Sequence, residues 1–188
     1  MLVGSGISEI LLSEEQIAGR VAQMGEQLSR DYEGRELVIV GVLTGAVTFL
    51  ADLIRCITVP LELDFVAVSS YGQATKTSGE VRMIKDLGHA VQGKHVLVAE
   101  DIIDTGLTLR YLLDTLQARQ PAGIACCVLL DKPSRRIIDV PVEYVGFEIE
   151  DRFVVGYGLD YAGHYRNLPY IGVLNLDGMP SNPSALSV

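Results

Sequence analysis

The chain has 188 residues, of which 48% are hydrophobic and 21% are charged, a balance typical of a soluble globular protein and not of a disordered or collagen-like chain. Fifteen basic residues against 24 acidic ones give a net charge of −9, which argues against a broad binding surface for DNA or RNA. A single small phosphorylated ligand is compatible with this charge, because backbone amides and a metal ion supply positive potential locally.

The first residues indicate neither a secretion signal nor a membrane anchor. No basic residue precedes the apolar residues near the N-terminus, and Glu9 follows them closely. The longest apolar runs hold seven or eight residues, whereas a membrane-spanning helix needs about 20. The three cysteines form no C-x-x-C pair, so neither a disulfide framework nor a structural zinc site is predicted. We therefore expect a cytoplasmic protein that contacts no membrane.

Helix and strand patterns alternate along the chain. Ser13 and Gln16 have the spacing of a capping box, and apolar residues at helical spacing behind them predict a helix to about Tyr32. The apolar run Leu37–Leu43 predicts a strand buried on both faces, and a helix at 46–55 follows it. The later elements are a helix at 105–118 and strands at 61–68, 81–84, 95–101, 123–130 and 142–147. The alternation predicts an α/β fold with a mainly parallel twisted sheet flanked by helices.

A polar segment at 69–80 interrupts this pattern. Loops of about a dozen residues inside a compact domain are often functional lids, and a flexible surface hairpin is the alternative. No internal repeat or linker divides the chain, so we expect residues 1–177 to form one domain. Residues 178–188 are rich in Pro, Ser and Asn, which predicts a flexible C-terminal tail.

The most informative segment is 98–108, where a strand ends in two acids and a helix follows at once. Open α/β sheets place their ligands at this end of a strand, so Glu100 and Asp101 are candidate ligand contacts. Residues 104–108 supply hydroxyls and free amides at a helix N-terminus, which form an anion cradle. The acids would repel a phosphate alone, but they would accept hydrogen bonds from a vicinal diol beside it. Ribose 5-phosphate has this layout.

Residues 100–108 resemble the phosphoribosyl diphosphate (PRPP) signature of the type I phosphoribosyltransferases almost residue for residue. The chain is more similar still to the hypoxanthine-guanine phosphoribosyltransferases, whose further motifs are matched in order at 145–149, 153–157, 159–161 and Arg166. The resemblance covers roughly residues 10–175. It implies the fold of the bacterial enzymes of this family, with a small hood and a mobile lid loop that includes Ser70 and Tyr71.

The resemblance also implies the PRPP site. Glu100 and Asp101 would hold the ribose 2- and 3-hydroxyls, and a solvated acidic strand end is the alternative. The cradle around the 5-phosphate would consist of Ile103, Thr105, Gly106, Leu107 and Thr108. An ordinary capped helix start is the alternative for Thr105, Gly106 and Thr108.

For the purine, the resemblance implies five residues. Asp104 would be the general base facing purine N7, with a helix N-cap as the alternative. Lys132 would donate to the 6-oxo group, and a solvated lysine at a strand end is the alternative. Phe153 would stack on the purine and the backbone of Val154 would contact the ring edge, or the two would be an ordinary core pair. Asp160 completes the predicted purine site.

For the pyrophosphate, the resemblance implies a loop of Leu43, Thr44 and Gly45, with a cis peptide bond between the first two residues. The family often has lysine or arginine where Thr44 stands, so an ionic contact from that side chain is lost here. Arg166 would contact the pyrophosphate oxygens. The Mg²⁺ ligands would be Glu100, Asp101 and Asp160. A plain strand-to-helix turn is the alternative for the loop.

The implied reaction is transfer of the phosphoribosyl group from PRPP to N9 of hypoxanthine or guanine, by a homodimer or homotetramer. Lys132 argues against adenine, because an ammonium group only donates hydrogen bonds, whereas xanthine stays open. A PRPP-binding regulator of RNA or transcription is a second alternative, and the net charge counts against it. A phosphoacceptor domain built on Asp101 and Lys132 is a third, and the cradle at 105–108 fits it poorly.

Overall fold

The computed structural model describes residues 6–70 and 81–175. The helices are α1 (Glu14–Asp31), α2 (Val47–Cys56) and α3 (Leu107–Gln117), with a short 3-10 helix at Pro133–Arg135. The strands are β1 (Ile7–Leu12), β2 (Leu37–Leu43), β3 (Leu61–Ser70), β4 (Val81–Lys85), β5 (His95–Ile103), β6 (Gly123–Asp131), β7 (Tyr144–Glu148), β8 (Val154–Val155) and β9 (Ile171–Leu174). Tyr71 and the rest of the predicted lid, and the predicted tail at 178–188, lie outside the described residues.

Six strands form the main sheet, in the order β4-β3-β2-β5-β6-β7. Neighbouring strands run parallel except β3 and β4, which confirms the predicted α/β fold with a mainly parallel sheet. The chain proceeds from β2 to β3 on one side and from β5 to β6 on the other, so the direction reverses between β2 and β5. Ligands of such sheets bind outside the carboxyl ends of the strands at this switch point. The topology therefore places the ligand crevice beside the residues that follow β2 and β5.

Alternate residues of the central strands face the two sides of the sheet. Ile39 and Leu97 belong to the hydrophobic core that α1 and α2 cover. Val40 and Val98 belong to the core that α3 covers on the opposite face. All four side chains are buried, and the β-branched run of β2 is apolar throughout because both of its faces are covered.

Helix α1 starts as the sequence predicts. The Ser13 hydroxyl accepts a hydrogen bond from the Gln16 amide (3.3 Å), and the Gln16 side chain accepts one from the Ser13 amide (2.8 Å). This capping box satisfies two of the free amides at the start of the helix. The buried face consists of Ile17, Val21, Met24, Gly25 and Leu28. Among the described residues, no helix combines the length and the apolar character needed to cross a membrane.

A second, three-stranded sheet lies outside the predicted elements. Its strand order is β1-β9-β8, and both strand pairs are antiparallel. It matches the small hood that the resemblance implies. Strand β7 also starts two residues later than predicted, and just before it the Glu143 carboxylate accepts a hydrogen bond from the Cys126 amide (2.7 Å).

Candidate active site

The loops after β2 and β5 meet at the switch point. A Cβ atom added to Gly45 would lie 1.7 Å from Oδ2 of Asp101, so the loop after β2 packs directly on that carboxylate. Gly158, at φ +99°, packs on the other side, where an added Cβ would lie 2.2 Å from the Gly45 carbonyl oxygen. The peptide bond between Leu43 and Thr44 is cis, as the resemblance implies. Three segments distant in sequence therefore form one wall.

The two acids at the end of β5 are partly buried. Burial raises the pKa of the Asp101 carboxyl to about 6, although the Ile102 amide (2.9 Å) and the Arg166 charge oppose this shift. Burial, with the neighbouring Asp101 charge, also raises the pKa of Glu100 well above its ordinary value. Oε2 of Glu100 is sealed from solvent without a hydrogen-bond partner among the described residues. A solvated acidic strand end is therefore wrong, and Oε2 of Glu100 keeps its capacity for a hydrogen bond.

Arg166 is held beside these acids by two contacts. Its Nη2 lies 2.7 Å from Oδ1 of Asp160, and its Nη1 donates to the Gly158 carbonyl oxygen (2.5 Å). The second carboxylate oxygen of Asp160 accepts the Gly163 amide (2.7 Å). Asp101, Asp160 and Arg166 influence one another electrostatically, so the structure brings the predicted pyrophosphate and metal residues together.

The predicted cradle lies at the start of α3. Gly106 occupies the N-cap position at φ +85° without a side-chain cap, and the Thr105 hydroxyl accepts the Leu107 amide (3.4 Å). An added Cβ on Gly106 would lie 2.5 Å from the Ile138 carbonyl oxygen, so only glycine fits here. A cavity of about 90 Å³ is lined by Glu100, Ile102, Ile103, Asp104, Thr105, Gly106, Thr108 and Leu109. Its size and its helix N-terminus suit one phosphate group.

Asp104 does not cap α3, since Gly106 takes that position. Its side chain is 42% exposed, and its Oδ1 lies 3.0 Å from Nε of Arg135. The Arg136 guanidinium donates to the Asp104 carbonyl oxygen (3.1 Å) and also contacts the Asp131 carboxylate. The helix-cap alternative is therefore wrong, and the Asp104 carboxylate is presented at the surface of the crevice.

Lys132 follows β6 and is only 8% exposed. Its backbone amide donates to the Ile103 carbonyl oxygen (3.0 Å), and its Nζ donates to the Arg152 carbonyl oxygen (2.7 Å). The alternative of a solvated lysine is therefore wrong. A buried ammonium requires polar partners, and this one has the Arg152 carbonyl oxygen and the Asp151 carboxylate, which lies 3.8 Å from Nζ.

Phe153 and Val154 differ from an ordinary core pair. Phe153 is 42% exposed, and its ring meets that of Tyr161 edge to face at 5.7 Å. Val154 is buried in the core and pairs with Val173 in the hood sheet. The exposed ring leaves a face free for a planar ligand, whereas the Val154 side chain is structural.

Comparison with known proteins agrees with this geometry. A family model described as phosphoribosyl transferase domain matches residues 8–162. The chain belongs to the phosphoribosyltransferase family. The hypoxanthine phosphoribosyltransferase of Haemophilus influenzae is 50% identical over 90% of this chain and 96% of its own. The hypoxanthine-guanine phosphoribosyltransferase of Bacillus subtilis is 52% identical over 89% and 93%. A crystal structure of a hypoxanthine phosphoribosyltransferase from Staphylococcus aureus, 47% identical, superposes with a TM-score of 0.90 over 94% of this chain and 96% of that one.

This phosphoribosyltransferase carries two charged contacts that sequence reasoning missed. Arg135 and Arg136, in the segment that follows Lys132, donate hydrogen bonds to the Asp104 carboxylate and to its backbone carbonyl oxygen, respectively. The signal was two consecutive arginines close behind the predicted purine-binding lysine. Two basic residues after a strand are common on surfaces, so the pattern alone did not distinguish them.

The carboxylates of this phosphoribosyltransferase fit part of the oxygen set of a divalent-metal site. Among the described residues, no group of three or more His, Cys, Asp or Glu side chains could hold a metal ion on its own. Mg²⁺ is commonly bound by one or two carboxylates together with substrate phosphates and water. The unpaired Oε2 of Glu100 and the buried carboxyl of Asp101 supply such a partial oxygen set.

Proposed function

We propose that this protein transfers the 5-phosphoribosyl group of PRPP to N9 of hypoxanthine or guanine, giving IMP or GMP and pyrophosphate. The observation that carries this proposal is the convergence at one switch point of an acid pair, a phosphate-sized cradle and the loop at Gly45. The names of the similar proteins support the choice of purine.

The ribose and its phosphate would occupy the crevice between β2 and β5. Glu100 and Asp101 would accept hydrogen bonds from the ribose 2- and 3-hydroxyls, for which Oε2 of Glu100 is unpaired. The amides at the start of α3, with Thr105 and Thr108, would bind the 5-phosphate. The backbone at Gly45 and the Arg166 guanidinium would face the departing pyrophosphate.

The purine would lie between Asp104, Lys132 and Phe153. As pyrophosphate departs, positive charge develops at carbon 1 of the ribose and the attacking purine becomes more acidic. Asp104 would accept a proton from the purine at N7. Phe153, with its exposed ring, would stack on the base.

We propose Mg²⁺ as the metal, held by Glu100 or Asp101, with Asp160 contributing directly or through water. When bound, the ion would neutralise and orient the multiply charged leaving group. The chain itself contributes Arg166, positioned by the Asp160 carboxylate and the Gly158 carbonyl.

Lys132 favours 6-oxopurines. Its ammonium group offers three donors, of which one is taken by the Arg152 carbonyl. A remaining donor can bind a 6-oxo oxygen, whereas the 6-amino group of adenine would present its own donors. Sites with one buried polar contact reject the mismatched analogue strongly, because the polar group is left unpaired.

The decisive experiment is a PRPP-dependent assay with hypoxanthine, guanine, xanthine and adenine side by side. We expect IMP and GMP formation that depends on a divalent cation, and negligible kcat/KM for adenine. Absence of transfer to any 6-oxopurine would overturn the proposal.

We also propose that the protein works in the cytoplasm as a homodimer or homotetramer, with residues 70 and 71 in a lid. The resemblance to the family supports these assignments. Light scattering coupled to size-exclusion chromatography measures the oligomeric state directly.

A further inference from the structure

Four charged side chains of alternating sign form an ion-pair network along one side of the crevice. Oδ1 of Asp104 lies 3.0 Å from Nε of Arg135. Nη1 of Arg135 lies 3.6 Å from Oδ2 of Asp151, whose Oδ1 lies 3.8 Å from Nζ of Lys132. The two ends of this ion-pair network are the carboxylate and the ammonium group that the proposed function places on the purine.

Hydrogen bonds to backbone carbonyl oxygens hold the polypeptide in place around this ion-pair network. The amide of Lys132 donates to the Ile103 carbonyl oxygen (3.0 Å), and Arg136 donates to the Asp104 carbonyl oxygen (3.1 Å). Arg135 ends the 3-10 helix at Pro133–Arg135, which starts directly after Lys132. These hydrogen bonds therefore join the ends of strands β5 and β6. The ion-pair network of the four side chains spans the same gap.

Each end of the ion-pair network can still bind a ligand. A carboxylate accepts several hydrogen bonds, so the contact with Arg135 does not exhaust Asp104. The Lys132 ammonium has three donors, of which the Arg152 carbonyl takes one, and the Asp151 carboxylate lies 3.8 Å away. N7 and O6 are neighbouring atoms on one edge of a 6-oxopurine, so their protein partners must keep a fixed separation.

We propose that Arg135 and Asp151 are positioning residues, which hold the Asp104 carboxylate and the Lys132 ammonium at the separation that a 6-oxopurine edge requires. This inference rests on the proposed function. A guanidinium is suited to the task, because its planar fork can face two carboxylates at once. Asp151 separates the two cations, which would otherwise repel each other.

The two positioning residues are half exposed, at 47% for Arg135 and 52% for Asp151. Exposed ion pairs contribute little to folding stability. Small displacements of a reacting group are costly to catalysis, however. We therefore expect their removal to change catalysis much more than thermal stability.

The test uses Arg135→Gln, Asp151→Asn and the double variant, with Arg119→Gln as a matched control. Arg119 forms a partly exposed pair with Asp86 (2.7 Å) and follows the C-terminal end of α3, whereas the cradle lies at its N-terminal end. We expect each single variant to lower kcat/KM for hypoxanthine about tenfold, with the KM for PRPP and the Tm unchanged. The double variant should lose no more kcat/KM than the less active single variant, because either change interrupts the same ion-pair network. Arg135→Lys should recover only part of the loss, since an ammonium does not reproduce the fork.

Wild-type kcat/KM in both single variants, with an active parent, would overturn the inference and leave the proposed function intact. Losses that multiply in the double variant would also overturn it, because they would show independent roles. A parent without transfer to any 6-oxopurine overturns the proposed function, and this inference with it.

Discussion

Asp104 has the most demanding chemical role of any side chain in the proposed site. Asp104→Asn keeps the shape of the side chain but removes its charge and its ability to accept a proton. We expect kcat for IMP formation to fall by about 10²- to 10⁴-fold, the usual contribution of a general base, while calorimetry shows nearly unchanged binding of IMP. Steady-state kinetics of the purified variant measures the fall.

The control for this substitution is Asp86→Asn. Asp86 also pairs with an arginine through its carboxylate, at 2.7 Å from Arg119, which follows the C-terminal end of α3. Its variant should keep wild-type turnover. Wild-type turnover in Asp104→Asn would show that Asp104 only anchors Arg135.

Asp101 gives a prediction about pH. Because burial raises its pKa in the folded protein to about 6 from 3.8, its contribution to stability is fully present below its unfolded pKa and is lost as the pH rises through 6. Asp101→Asn removes this loss. We expect the ligand-free variant to be more stable than the parent at pH 7.5, by on the order of 3 kcal/mol, with the difference becoming small near pH 4.

Urea unfolding at both pH values measures this difference. Asp86→Asn is a control of opposite sign, because the hydrogen bond from Arg119 lowers the pKa of Asp86. That variant should be less stable than the parent at pH 7.5. A parent that is as stable as Asp101→Asn at pH 7.5 would contradict the raised pKa.

At the residue scale, the sequence predicted groups that are adjacent in the chain. Glu100, Asp101 and Asp104 lie within one strand-turn-helix segment, so their common location followed from that pattern. Arg135 reaches Asp104 from 31 residues further along the chain, and Asp151 is brought in by a different loop. Such contacts depend on where β6 and β7 sit in the sheet, which residue types do not reveal.

The loop between β2 and α2 is an element whose position depends on one missing side chain. A Cβ atom on Gly45 would lie 1.7 Å from Oδ2 of Asp101, so Gly45→Ala must displace the loop or the carboxylate. We expect kcat/KM for PRPP to fall by about 10²-fold, as for other misplacements near 1 Å. Kinetics at saturating hypoxanthine measures the fall.

Gly19→Ala is the matched control. Gly19 lies inside α1, and an added Cβ would meet nothing within 4 Å. This variant should keep full activity and gain about 0.4–1 kcal/mol of stability. Equal activity in the two alanine variants would show that the loop after β2 is not part of the site.

At the element scale, prediction succeeded where periodicity was long and local. The capping box and the apolar face fixed α1 to within one residue of Asp31, and the β-branched run fixed β2. The strands of the hood were not predicted, because β8 has only two residues and β9 has four, which is too short for a clear alternating pattern. β1 pairs with β9 from the other end of the chain, where Ile10 meets Gly172. Short strands become ordered through such distant pairing and have little pattern of their own.

At the scale of the whole molecule, the sheet order explains how an acidic protein can bind two anionic groups. The reversal between β2 and β5 gathers helix N-terminal amides, the Gly45 loop and Arg166 at one edge. Positive potential is therefore local, while the net charge stays at −9. The same edge holds Glu100 and Asp101, where burial and then the neighbouring Asp101 charge disfavour the ionised Glu100 carboxylate and raise its pKa.

Ligand binding should therefore stabilise the whole fold, and more so with a divalent cation. PRPP at about 100 times its Kd stabilises the native state by about 2.7 kcal/mol, which raises the Tm of a domain of this size by about 5–10 °C. We expect this shift with MgCl₂ and a much smaller one with EDTA, because without a cation the Asp101 charge opposes the diphosphate. Differential scanning calorimetry with and without each component measures both shifts, and MgCl₂ alone is the control. Equal shifts in MgCl₂ and EDTA would show that the acids bind the ribose hydroxyls without a metal.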